Sequence, residues 1–159
     1  MYFKSVQEED AKGLYYFCEN DGSEIVISHS NGSLVTQNAL QRGLKIKQWF
    51  SFAGAASSDK VFYSSENFDY ATSIYNPHDF ALKIGSWLPK HPFGKLGYKG
   101  YRGAPDGTYD ERWKNVNGAS SGFGLNYGHY FDKELHQWAE FLIKNIETPR
   151  SMAGIDRYF

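Results

Sequence analysis

Runs of β-branched and aromatic residues alternate along this chain with segments of helical period, and that alternation restricts the fold more than any other feature. SEIVIS (23–28) is apolar and β-branched, as expected of a strand buried on both faces of a sheet. LKIKQWFSFAGA (44–55) is a second strand running into small residues. DYATSIYNPHDF (69–80) holds a third, which Pro77 prevents from continuing. ERWKNVNG (111–118) is a weaker fourth. Between and around them the spacing changes to that of helices. Residues 5–19 place Val6, Ala11, Leu14, Tyr15 and Cys18 on one side and stop at NDG; 33–43 place Leu34, Val35, Ala39 and Leu40 together and stop at Gly43. FALKIGSWL is a short amphipathic piece. DKELHQWAEFLIKNI carries Leu135, Trp138, Ala139, Leu142, Ile143 and Ile146 on one stripe behind Asp132 as N-cap. Strands alternating with helices predict an α/β fold with a mostly parallel sheet and helices on both faces.

The chain of 159 residues suits a single domain, 1–159, with a core of its own. From about 89 to 110 the Gly, Pro and Tyr content rises and periodicity is lost, which predicts an excursion outside the core layers. Within it Lys95, Tyr98, Lys99, Tyr101 and Arg102 interleave charge with aromatic faces. A solvated loop is the first expectation there; a substrate-facing or lid role for Tyr98 and Arg102, gripping a phospholipid head group, is the second.

Net charge bounds the partners. A formal charge of −1, with both signs spread along the chain, offers nothing global in favour of binding a nucleic-acid backbone or an anionic membrane, and no nucleic-acid partner is expected. The single cysteine, Cys18, excludes an internal disulfide and is expected in the core. The first ten residues, MYFKSVQEED, contain no apolar stretch of signal-peptide type, and no run is apolar enough for a membrane span; localisation stays open between the cytoplasm and export by a route without such a signal. No HExxH motif or paired cysteines point to a metal.

The chemistry is carried by SHSNG, residues 28–32. A serine between a buried strand and a helix is held on a sharp turn at the carboxyl edge of the sheet, in front of backbone N–H groups at the helix N-terminus. Small residues two before and two after it, here Ser28 and Gly32, suit the crowding of such a turn. The pattern resembles the nucleophile elbow of the α/β-hydrolase family, specifically its lipases and esterases, with serine for glycine at the first position. In that family the order is Ser, then Asp or Glu, then His. Asp79 follows the third strand and His129 precedes the last helix, 49 and 50 positions apart from their predecessors.

The resemblance implies that Ser30 attacks an acyl carbonyl, that His129 moves the proton, and that Asp79 orients the imidazole. It further implies the Asn31 N–H as an oxyanion donor and His29, Tyr98 and Arg102 as substrate contacts. The substrate would be an ester or lipid, with peripheral membrane contact open and no cofactor needed. Asp69, Asp106 and Asp110 compete as turn aspartates, and His91 and His136 as alternative bases. A non-catalytic binding or assembly module and, more distantly, a nuclease using Arg102 are the other function classes. One departure stands out: only about 22 residues precede the elbow strand, so the resemblance covers the carboxyl-terminal half of the family fold. In the family the second oxyanion donor comes from the other half, so the chain is expected to be either a fragment or subunit whose partner completes the sheet or a pared-down hydrolase that pairs with another copy. An uncovered elbow strand is an aggregation hazard, so a second copy or a partner chain is expected to complete the sheet.

Overall fold

The computed structural model describes residues 2–59, 67–87, 93–103, 106–118 and 135–147. Four parallel strands, β1 (Ile25–His29), β2 (Ile46–Phe52), β3 (Phe68–Tyr75) and β4 (Trp113–Asn117), form one sheet in the order β1-β2-β3-β4. Five helices accompany them: α1 (Tyr2–Asp21), α2 (Asn31–Gln41), α3 (Phe80–Trp87), the single-turn α4 (Leu96–Lys99) and α5 (Leu135–Glu147). This is the expected small α/β fold.

Helices cover both faces. On one face Ala11 and Cys18 of α1, Ala39 and Leu40 of α2 and Leu96 of α4 pack with Val26, Trp49, Ala71 and Trp113. On the other, Trp138, Phe141, Leu142 and Ile146 of α5 pack on Phe50, Phe52, Ile74 and Val116. The helix ends follow from glycine. Gly22, at φ 68°, returns its N–H to Cys18 O at 2.9 Å and ends α1; Gly43, at φ 100°, returns its N–H to Leu40 O at 3.0 Å after α2. Cys18 is buried as expected, and burial, with Asp21 and Glu19 nearby, pushes its thiol pKa up.

Three expectations are corrected. First, β1 is not buried on both faces. Among the described residues it pairs only with β2, and while Val26 and Ser28 face the core, Ile25 and Ile27 remain 36% and 53% exposed. Register explains this: Ile25 and Ile27 stand beside Gln48 and Phe50 on the face that α5 covers, and α5 packs from β2 onward. Second, the buried face of α5 is turned from the expected stripe. Phe141 and Asn145 are inside, whereas Ala139 and Ile143 face solvent; the Asn145 side-chain amide donates to Phe141 O within the helix (2.7 Å), and the Asn145 backbone carbonyl accepts from Gln48 Nε2 of β2 (3.3 Å). Asp132 lies outside the described residues.

Third, the Gly- and Tyr-rich stretch is part of the core from 93 to 103. Leu96, Gly97, Tyr98, Gly100 and Tyr101 are buried. Tyr101 stacks on Trp113 at 4.7 Å and 11°, and Trp49 and Phe68 meet the same indole edge-on. Its aromatic content reads as packing, not as a decorated surface. The Tyr101 hydroxyl lies by the Asp110 backbone without reaching hydrogen-bond geometry. Burial first, and the Asp110 charge second, push its pKa up to about 12. Arg112 closes this end of the sheet, pairing with Asp110, donating to Phe68 O at 2.9 Å and lying over the Phe68 ring. Among the described residues no helix is long and apolar enough to cross a membrane.

Candidate active site

Ser30 sits where β1 ends and α2 begins, at φ 52° and ψ −121°. A serine in this region carries backbone strain on the order of 1–3 kcal/mol, so the surroundings must hold it there. They do so by hydrogen bonds. The Ser30 N–H donates to Phe52 O at 3.0 Å, and the Ser30 carbonyl accepts from Ser33 N–H at 3.1 Å and Ala55 N–H at 2.9 Å. The bland role for a serine ahead of a helix is to cap it, with a β-region backbone and its oxygen on the second or third helical N–H. Ser30 has neither that backbone nor a side-chain cap bond. It is half-buried, and it stands at the start of a helix of 11 residues, where the Ser33 N–H already uses the Ser30 carbonyl and the N–H groups ahead of it have no helical carbonyl to reach.

Beneath the turn lies a buried set of short polar side chains that sequence reasoning missed. Ser28 and Ser33 hydroxyls meet at 2.9 Å, Ser51 donates to Ser33 Oγ at 2.8 Å, and the Trp49 indole N–H donates to Ser28 Oγ at 2.8 Å. A Cβ at Gly54 would come within 2.2 Å of Ser51 Oγ and 2.8 Å of Ser33 Oγ, so this position is closed to any side chain. Ser51 within the otherwise apolar WFSFAGA was the available signal. The expected need for a small residue at Gly32 is weaker than supposed: a Cβ there meets only Ser28 Cβ, at an ordinary 3.8 Å.

Asp79 lies at the carboxyl end of β3, two strands from Ser30, and is completely buried. The NPHD turn explains its position. Asn76 Oδ1 accepts from His78 N–H at 2.8 Å, Asp79 N–H donates to Asn76 O at 3.0 Å, and Asp79 Oδ1 accepts from Leu82 N–H at 2.9 Å, capping α3. The competing aspartates are elsewhere. Asp106 and Asp110 accept from Thr108 N–H (2.9 Å) and Arg112 N–H (3.1 Å) in turns, and Asp69 is exposed on β3.

Asn31 is the first residue of α2, and its side-chain oxygen accepts from Gln7 Nε2 of α1 at 2.9 Å, which ties α1 to the turn. His29 is exposed at the end of β1. Tyr98 is buried against Ala55 and Leu82, with its hydroxyl 3.1 Å from Ser86 Oγ; Arg102 is exposed, and its N–H donates to Ser58 O. The structure thus brings Ser30, Asn31, His29 and Asp79 to one edge of the sheet and gives Tyr98 a packing position. His129 and His91 lie outside the described residues, and His136 falls within α5. Among the described residues no three His, Cys, Asp or Glu side chains are grouped to hold a metal. Compared with protein-family models, curated proteins and solved structures, the chain matches none.

Proposed function

We propose that this chain is a serine hydrolase of carboxylic esters, of the lipase or phospholipase kind, similar to the carboxyl-terminal half of an α/β-hydrolase. The observation that carries the reading is the Ser30 backbone, held at φ 52° and ψ −121° between a strand and a helix without the serine capping that helix. Natural chains retain such strain where the surroundings over-determine it, and presentation of a nucleophile is a reason to do so. A wholly buried Asp79 at the carboxyl end of β3, on the same rim as Ser30, adds support.

In this reading Ser30 Oγ attacks the acyl carbon while His129 takes its proton. The carbonyl electrons move onto oxygen, which the Asn31 N–H stabilises. The ester C–O bond then breaks and His129 returns the proton to the departing alcohol. Water, deprotonated by His129, cleaves the acyl-enzyme and releases the carboxylic acid and Ser30. Asp79 holds the imidazole tautomer throughout.

Labelling with a fluorophosphonate is the test. The wild-type chain is expected to react at one site and Ser30→Ala not at all. Asp79→Asn, which keeps a capping side chain but removes the charge, is expected to slow turnover of a simple ester by roughly 10³–10⁴-fold. A folded wild-type sample that does not label would sink the proposal.

A second reading, a binding or assembly module, is favoured by the exposure of Ile25 and Ile27 on β1, which among the described residues pairs only with β2. Completion of the sheet by a second copy or a partner chain suits either reading. A stable, lone monomer by gel filtration would count against it.

A further inference from the structure

The turn bearing Ser30 and the turn bearing Asp79 are joined by a continuous run of backbone hydrogen bonds. The Ser30 carbonyl accepts from Ala55 N–H at 2.9 Å. In the same peptide unit, the Gly54 carbonyl accepts from Gly97 N–H at 2.8 Å. The Gly97 carbonyl accepts from Asn76 N–H at 2.9 Å, and the Asn76 carbonyl from Asp79 N–H at 3.0 Å. The run crosses the end of β2, which lies between the two strands concerned. Gly97, from α4, is the member that links the β2 end to the β3 end.

Gly97 does not have the positive φ that singles out several other glycines here, so torsion does not require glycine. Proximity does. A Cβ would lie 2.3 Å from Ala53 C, 2.4 Å from Gly54 N and 2.4 Å from Leu82 Cδ1. Two of these are backbone atoms in the very turn that donates to Ser30, so a side chain could be admitted only by pushing that turn away from α4. Ala53, itself at φ 42° and completely buried, leaves little slack.

We infer that Gly97 is a positioning residue, a backbone spacer that sets how far the Ser30 turn stands from the Asp79 turn. The inference rests on the serine-hydrolase reading of Ser30 and Asp79. Reacting groups displaced by about 1 Å lose on the order of 10²-fold in rate. A methyl group at position 97 forces a movement of that size.

The experiment compares Gly97→Ala with Gly103→Ala. The control introduces comparable crowding off the run: alanine at Gly103 would meet Thr108 O at 2.6 Å, at φ 84°. Both are followed by the time course of fluorophosphonate labelling, with folding checked by circular dichroism. Mispositioning and unfolding separate cleanly. If Gly97 positions the site, Gly97→Ala labels to the wild-type stoichiometry but roughly 10- to 100-fold more slowly. Gly103→Ala labels at the wild-type rate, whatever fraction of it folds.

A Gly97→Ala rate within about twofold of wild type, or a deficit confined to stoichiometry, overturns the inference. Should Gly97→Ala not fold, hydrogen exchange on the wild-type chain decides. The amides of Ala55, Gly97, Asn76 and Asp79 are expected to open together, and protection differing by more than about tenfold between Ala55 and Gly97 overturns it. If the wild-type chain fails to label at Ser30, the hydrolase reading falls on that result alone, and the exchange measurement still judges the link between the two turns.

Discussion

Two buried regions share one face of the sheet and are built on opposite principles. At the carboxyl ends of β1, β2 and β3, the polar groups Ser28, Ser33, Ser51, Asn76 and Asp79 are taken out of water and each meets a partner. Around Trp113 the interior is aromatic, and the Tyr101 hydroxyl is buried without a hydrogen bond. Trp49 belongs to both, with its ring against Trp113 and its indole N–H on Ser28. The contrast shows where desolvated polar groups can be kept. Strand ends and turns supply backbone donors and acceptors at close range, whereas an aromatic layer supplies area and little else.

The sharpest test of the polar region is at its tightest point. Ala53→Val places a β-branched residue at φ 42° in a completely buried site, and is expected to lower unfolding free energy by at least about 3 kcal/mol in chemical denaturation. Ser33→Ala removes the hydroxyl that meets both Ser28 and Ser51. It is expected to cost about 2 kcal/mol, because the partners remain buried. A loss under about 0.5 kcal/mol would erase the distinction between the two regions.

Tyr101→Phe is the matching change in the aromatic region and is expected to leave neutral-pH stability within about 0.5 kcal/mol, or to raise it. Its effect appears at high pH. The folded phenol, held up to about 12, keeps its proton while the unfolded one loses it near its ordinary value of 10.0, so stability falls as pH rises between those values. The wild-type chain is expected to lose about 2 kcal/mol more than Tyr101→Phe across that window. Tyr109, raised in the same direction by burial and Asp110, contributes to both. The smallest effect is at the nucleophile itself. Ser30→Gly relieves the positive φ and is expected to stabilise the fold by up to about 1 kcal/mol while abolishing fluorophosphonate labelling, a separation of stability from reactivity that no change at Ala53 would give.

Much of this was legible in one dimension. The β-branched IVI and aromatic QWF runs, the stop at Gly43 and the proline after Asn76 delimited strands and helices, because period and turn chemistry are local properties. The place of Ser30 was legible for the same reason, since strand, turn residue and helix are contiguous. What escaped was contact between distant segments. Nothing in GKLGYKGY indicates that Tyr101 stacks on Trp113 or that Gly97 lies against Ala53, because a glycine kept for close approach reads the same as one kept for a loop. The rotation of α5 escaped too: Ile143 is as apolar as its neighbours, and only the packing of Phe141 on Phe50, Phe52 and Ile74 shows which face is inside.

By itself, then, the order of residues determined the alternation of elements, the parallel sense of the sheet and the residue at its first sharp turn, all of which depend on neighbours within a few positions. Only the tertiary structure decided that one face of β1 stays open, that Asp79 is completely buried, and that a glycine from α4 spans the gap between the Ser30 and Asp79 turns. Those outcomes depend on which strand ends meet, and on the few tenths of an ångström that separate contact from collision.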